Sequence, residues 1–365
     1  VRRRVAALAC LVAAGWPAGA AGDRPAPGQP GAAARLYVCV QDEARIAVLD
    51  AASRAVVKTI DLQALGFPAT AKPHYVVAEP SGSHWYVSLI GAGRVVKFDA
   101  HDAIVGQFEM ETPGMLALAG ANRLLVSRSM SAVNPPKRVA LVDRATMRGD
   151  EVDVLFPRPH PVAVSPGGFG YTGSLGVNQI ASIALGDDQV TIVDVAGPTH
   201  SIVQFAVSPD GRTLVGTAEL SGQLLVWDLA EPARPRLVTT VAAGKMAFDP
   251  VFAPDGRSVW VPVKSTNEVV VFSSATWTET ARFTAPAFRA PHQIVFSLDG
   301  RTAFVTNNNK MDHMADPAHA GHERAAAGSP GGPASLAVVD TASRRVVQTI
   351  ELGRNLTGMG LRRER

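Results

Sequence analysis

Phe205-Ala-Val-Ser-Pro-Asp-Gly211, Val251-Phe-Ala-Pro-Asp-Gly256 and Ile294-Val-Phe-Ser-Leu-Asp-Gly300 state one unit three times. Each is an apolar run closed by Asp-Gly, the pair that supplies the positive φ of a tight hairpin turn. A second apolar run follows the turn, as in Ser258-Val-Trp-Val-Pro-Val263 and Arg301-Thr-Ala-Phe-Val-Thr-Asn307. After a variable loop come a third run ending in Asp and a fourth, shown by Leu336-Ala-Val-Val-Asp340 and Arg345-Val-Val-Gln-Thr-Ile350. Four antiparallel strands per unit of ~40–45 residues is the blade of a β-propeller.

Working outward, units begin near His74, Met115, His160, Val203, Phe248 and Gln293. Third strands are expected to end at Asp99, Asp143, Asp194 and Asp228, and at Phe272 without the Asp. The N-terminal segment 35–62 supplies only a second, third and fourth strand. Its missing innermost strand is assigned to Leu356-Thr-Gly-Met-Gly-Leu361, so the expected fold is all-β: a seven-bladed β-propeller closed by N- and C-terminal strands in one blade. Such closure leaves no long sheet edge exposed. The 33 glycines and 26 prolines among 365 residues suit many short strands joined by tight turns.

Tyr37-Val38, Phe304-Val305-Thr306-Asn307, the Ser-Pro-Asp-Gly turns and Val338-Val339-Asp340 resemble the YVTN-repeat family of bacterial β-propellers. That resemblance implies a fold similar to the haem-carrying propeller of cytochrome-type nitrite reductases and to the propeller of nitrous oxide reductase, whose histidines hold copper. Such repeats specify fold far better than function. No C-x-x-C-H is present, so covalent haem is not expected.

Residues 1–20 read as a signal peptide: Arg2, Arg3 and Arg4, an apolar stretch from Val5 to Gly15, and an Ala18-Gly19-Ala20 cleavage site. Cys10 opens a second, lipoprotein-type reading. The stretch is too short for a membrane span. Residues 21–34 read as a linker and 35–365 as the propeller, with a periplasmic or secreted destination expected. Without the three leader arginines the 35 basic residues fall to 32, equal to the acidic count. A nucleic-acid or anionic-membrane partner, which needs a clustered positive surface, is not expected. Cys39, the one cysteine outside the leader, is read as a small buried hydrophobe. The chain is expected to be a monomer, with a small ligand, a metal ion or a periplasmic protein as its partner.

Candidate chemistry gathers at one end of the ring. Pro73-His74, Pro159-His160 and Pro291-His292 each stand eight residues before the glycine of a turn, at the entry of an innermost strand. A proline at a first strand position breaks no ladder hydrogen bond. Lys72, Arg158 and Arg289 lie beside these histidines, and Arg128, Glu219 and Lys264 follow second strands. The last blade carries an insertion, 309–334, with Met311, His313, Met314, His319 and His322, which strand parity brings to the same mouth. His84, His101 and His200 fall elsewhere in this register.

Two readings of the histidines stand together: imidazoles bonded to a neighbouring blade's backbone, or a shared site for a metal or an anion. Met and His suit copper, and imidazole also suits zinc. Lys72, Arg158, Arg289 and Arg128 are the candidate contacts to an anionic ligand. The chain is therefore expected to be an exported binding or scaffold propeller taking up copper, zinc or a small anion. The alternative is a propeller enzyme of lactonase or oxidoreductase type using the same mouth. Gly168-Phe-Gly170-Tyr-Thr-Gly173 matches G-x-G-x-x-G, but it lies inside a blade with no helix to follow and carries no dinucleotide reading.

Overall fold

The computed structural model describes residues 33–131, 134, 136–310 and 333–364. The expected signal peptide 1–20, nearly all of the linker, and Met311, His313, Met314, His319 and His322 lie outside the described residues. What is described forms seven four-stranded antiparallel sheets arranged in a ring. No helix among the described residues is long and apolar enough to cross a membrane.

Closure follows the expected pattern. In the first blade, β1 (Ala34–Val40), β2 (Arg45–Asp50) and β3 (Val56–Asp61) are completed on the inside by β28 (Leu356–Arg363). Ala34, counted with the linker above, already belongs to β1 and pairs with Arg363. Within β28, Gly358 and Gly360 are required by contact. A Cβ on Gly358 would stand 2.2 Å from the carbonyl oxygen of His74, and one on Gly360 2.6 Å from the Val76 side chain. The closing strand therefore lies flush against β4 (Pro73–Ala78), the inner strand of the second blade.

The remaining inner strands are β8 (Pro113–Ala119), β12 (Pro159–Ser165), β16 (Ile202–Val207), β20 (Val251–Phe252) and β24 (Pro291–Phe296). Second and third strands are buried at four or more consecutive positions because a neighbouring blade covers each face. Outer strands such as Ile104–Glu109 and Arg236–Ala242 alternate between half-buried and exposed residues, since one of their faces meets water. Aromatic side chains fill the wedges between blades: Tyr37, Trp85 and Phe98 stack in series, with centroids 4.3 Å and 4.2 Å apart. Cys39 is fully buried in β1, as expected of a small hydrophobe.

Two third-strand assignments need correcting. In the fourth blade the third strand is Gln179–Ala184, and Asp194 ends the outermost strand, Val190–Asp194. The run Val190-Thr-Ile-Val-Asp194 has the composition of a third strand but pairs on one side only, which leaves it half-buried. In the sixth blade the third strand ends at Ser273, not Phe272. Ser273 does what aspartate does elsewhere: its Oγ accepts the N–H of Ala275, as Asp50 Oδ1 accepts that of Ser53 and Asp340 Oδ1 that of Ser343.

Candidate functional site at the channel mouth

Every blade enters its inner strand through a left-handed residue. Lys72, Thr112, Arg158, Ser201, Met246, Ala290 and Asn355 have φ between 44° and 57°. In each blade the carbonyl of that residue accepts the N–H of the residue that follows the second strand, at 2.8–3.2 Å; the bonds from Ile90 to Lys72 and from Gln41 to Asn355 are examples. The left-handed backbone costs about 1–2 kcal/mol at a non-glycine residue, offset here by a buried backbone hydrogen bond. One step later the register with the second strand shifts in six of the blades, between Pro73 and Tyr75, for instance, and between Pro159 and Val162. The bulged residue is thereby unpaired and faces the channel. At this position stand His74, His160 and His292, with Phe248 in the sixth blade and Thr357 in the first.

The three imidazoles share a face as the sequence predicts, but their surroundings differ. His160 is 2% exposed, and its Nδ1–H donates to the Arg128 carbonyl at 2.9 Å. A carbonyl can only accept, so the proton sits on Nδ1 and Nε2 keeps its lone pair. Burial lowers the His160 pKa to about 4, against the small upward pull of that bond. His74 is half-buried. Its Nδ1 meets Gln41 Oε1 at 2.8 Å, which again leaves Nε2 to accept. Desolvation, then His160 and Lys264, lower its pKa, so at pH 7 this ring is neutral. His292 lies edge-on to His74 with centroids 6.5 Å apart, and 5.1 Å from the Phe248 ring. Among the described residues no three His, Cys, Asp or Glu side chains converge as a metal site.

Charges at the mouth are more deeply placed than solvated loop residues would be. Lys264 is 1% exposed, its Nζ 3.5 Å from the centroid of the Phe248 ring. Burial lowers its pKa to about 7, opposed by the Glu219 carboxylate. Glu219 is buried as well. Arg158 is partly buried and donates to the Met130 carbonyl at 3.1 Å. Lys72 and Arg289 are exposed on the rim. Arg128, a candidate ligand contact, turns away from the channel: its guanidinium donates to the Glu111 carbonyl at 2.6 Å and pairs with Glu151 on an outer strand. Only its backbone serves the mouth, as the acceptor for His160. The insertion's ends do reach this face, since Asn308 N–H donates to the Ala290 carbonyl and Asn309 N–H to that of Arg289. His200 is corrected too. It precedes an inner strand and so stands at this end, but its ring is tied between Ser221 Oγ and the Ala196 carbonyl, both at 3.0 Å.

The residues one step inside the mouth were missed by the sequence reading. Tyr75, Asp249 and Gln293 directly follow His74, Phe248 and His292. The Tyr75 hydroxyl donates to Asp249 Oδ2 at 3.4 Å across the channel, and Gln293 hydrogen-bonds both. Gln293 Oε1 in turn accepts the Met359 N–H of the closing strand. These side chains, from three blades, close the channel and turn the mouth into a cup. Leu175, Val203, Met246 and Phe248 pack beside them as a buried apolar cluster, with Met130 against it. A cleft of ≈ 340 Å³ lies elsewhere, between the sixth and seventh blades near Trp260, Phe296 and Arg344. It gathers none of the titratable groups of the mouth.

No family model and no curated protein matches this sequence. Solved structures do. The periplasmic gluconolactonase of Pseudomonas aeruginosa aligns at 19% identity over 90% of this chain and 99% of its own, with a TM-score of 0.67. A putative 6-phosphogluconolactonase from Bacteroides fragilis aligns at 14% identity over 92% and 99%, with a TM-score of 0.65. A dihydro-heme d1 dehydrogenase in complex with its ligand aligns at 14% identity over 89% and 74%, with a TM-score of 0.56. At these identities the likeness establishes the seven-bladed fold and nothing narrower.

Proposed function

We propose that the chain is a hydrolase of lactones, small cyclic esters, acting in the cup at the channel mouth. The observation that carries this reading is His74: a half-buried, neutral imidazole, anchored at Nδ1 by Gln41 and within the field of the buried Lys264 side chain, which keeps part of its charge at neutral pH. Ester hydrolysis needs a base for water and positive charge for the oxyanion. His74 Nε2 takes the proton of the attacking water, and Lys264 balances the charge that develops on the carbonyl oxygen. Arg158 and the rim residues Lys72 and Arg289 favour lactones that carry an additional anionic group. Two of the structural neighbours bear lactonase names, which favours this reading over a scaffold or a metal carrier.

The leader-like residues 1–20, together with a periplasmic protein among the neighbours, support action outside the cytoplasm. The test is ester turnover followed by proton release, with δ-gluconolactone and δ-valerolactone as substrates. His74→Asn is expected to lower kcat by ~10²–10⁴-fold with little change in KM. Wild-type protein that binds these lactones or their open-chain acids in calorimetry, yet hydrolyses none above the spontaneous rate, would return the mouth to a binding role.

A further inference from the structure

Asp249 is a carboxyl that the mechanism above leaves unused. It is 6% exposed, sits one residue past Phe248, and belongs to the floor of the cup, a single layer below His74, Phe248 and His292. Two neutral groups reach it: Tyr75 O–H at 3.4 Å and the Gln293 side chain, whose Oε1 is committed to the Met359 N–H. No salt bridge to Asp249 occurs among the described residues. The titratable groups around it are Tyr75 and His74 on β4, His292 on β24 and, across the Phe248 ring, Lys264.

A carboxyl so placed is most stable with its proton on. Burial raises its pKa to about 7, opposed by the bonds from Gln293 and Tyr75. A carboxyl that still holds a proton near neutral pH, one residue layer below a neutral imidazole from another blade, supplies the two halves of acid–base hydrolysis.

We propose that Asp249 is the acid of the lactone reaction, giving its carboxyl proton to the ring oxygen as the acyl C–O bond breaks. The inference rests on the lactone reading of the mouth. Water oxygen bonds to the acyl carbon while His74 Nε2 takes one water proton. The tetrahedral adduct collapses, the bond from the acyl carbon to the ring oxygen breaks, and that oxygen takes the Asp249 proton to become a hydroxyl. The product is a hydroxy acid, which releases its own proton to solvent. The proton on His74 returns through water to the Asp249 carboxylate and restores the starting state.

The experiment compares two lactones on the full chain. δ-Valerolactone expels an alkoxide and needs an acid, whereas dihydrocoumarin expels a phenolate, whose conjugate acid has a pKa of about 10, and largely does not. Asp249→Asn keeps the size of the side chain. It is expected to lower kcat on δ-valerolactone by ~10²–10⁴-fold, to lower kcat on dihydrocoumarin by less than ~10-fold, and to leave only the alkaline fall of kcat/KM that Lys264 sets. Tyr75→Phe removes a donor to the ionised carboxylate and is expected to move the Asp249 limb to higher pH. This second variant tests the assignment even where Asp249→Asn does not fold. Equal losses on the two lactones, or an alkaline limb that neither variant changes, overturn the acid role while leaving the lactonase reading in place. Wild-type protein that turns over neither lactone overturns both.

Discussion

His160→Asn tests whether the mouth is as dry at that position as the structure makes it. Asparagine preserves a donor toward the Arg128 carbonyl, which His160 Nδ1 now serves at 2.9 Å, but it cannot titrate. The folded pKa of His160 is about 4, below its ordinary 6.5, so on acidification the unfolded chain takes up the proton first. The stability contributed by the neutral ring is therefore complete above about pH 6.5 and is lost as pH falls toward 4. From those two values the loss due to this one residue is about 2 kcal/mol by pH 5 and about 3 kcal/mol by pH 4. The assay is urea unfolding of both proteins at pH 7, 6, 5 and 4, compared at equal m-value. His160→Asn is expected to start lower at pH 7, by about 1–2 kcal/mol for the altered packing, and then to lose less than the wild type at each step down. Parallel decline of the two proteins from pH 7 to pH 4 would refute a neutral, desolvated imidazole at this position.

Removing the chain from Arg354 onward should strip the first blade of its inner strand. Leu356 and Met359, both buried, would alone forfeit about 3–6 kcal/mol, so the truncated protein is expected to aggregate or to melt far below the wild type; an unchanged melting temperature would contradict the closure. Asp102 accepts from Tyr37 Oη at 2.8 Å and Trp85 Nε1 at 3.1 Å while holding Lys58, so Asp102→Ala should cost about 2–4 kcal/mol in chemical denaturation, and a loss under about 0.5 kcal/mol would show that water replaces it. Calorimetry with copper and with zinc on the wild type and on the His160→Ala/His292→Ala double variant tests the metal reading. The double variant is expected to bind no less than the wild type, since no three such side chains converge among the described residues; stoichiometric binding lost with the two imidazoles would reinstate the ring histidines as ligands.

The recurring apolar run and Asp-Gly turn determined the blade, its count and its closure, because each is a local requirement repeated along the chain. Positive φ at Gly82, Gly168, Gly211, Gly256 and Gly300 is what those turns needed, and the first unit, lacking an inner strand, is completed by the strand-like Leu356 to Leu361. Pro-His at the inner-strand entries likewise placed His74, His160 and His292 on one face, since a fixed distance from a turn fixes an end of a strand. Local pattern failed where partners decide: Val190–Asp194 reads as a third strand and is an outer one, because only tertiary pairing covers or exposes a face. It failed again at the mouth, where Arg128 looks like a ligand contact and is spent on Glu151, while Lys264 and Glu219 look solvated and are buried. Tyr75, Asp249 and Gln293 share a repeat position, directly after His74, Phe248 and His292, but are unlike in type and so carry no common residue signature. Only closing the ring brings the second, sixth and seventh blades to a common axis, where a tyrosine and a carboxyl 174 residues apart can meet in a hydrogen bond.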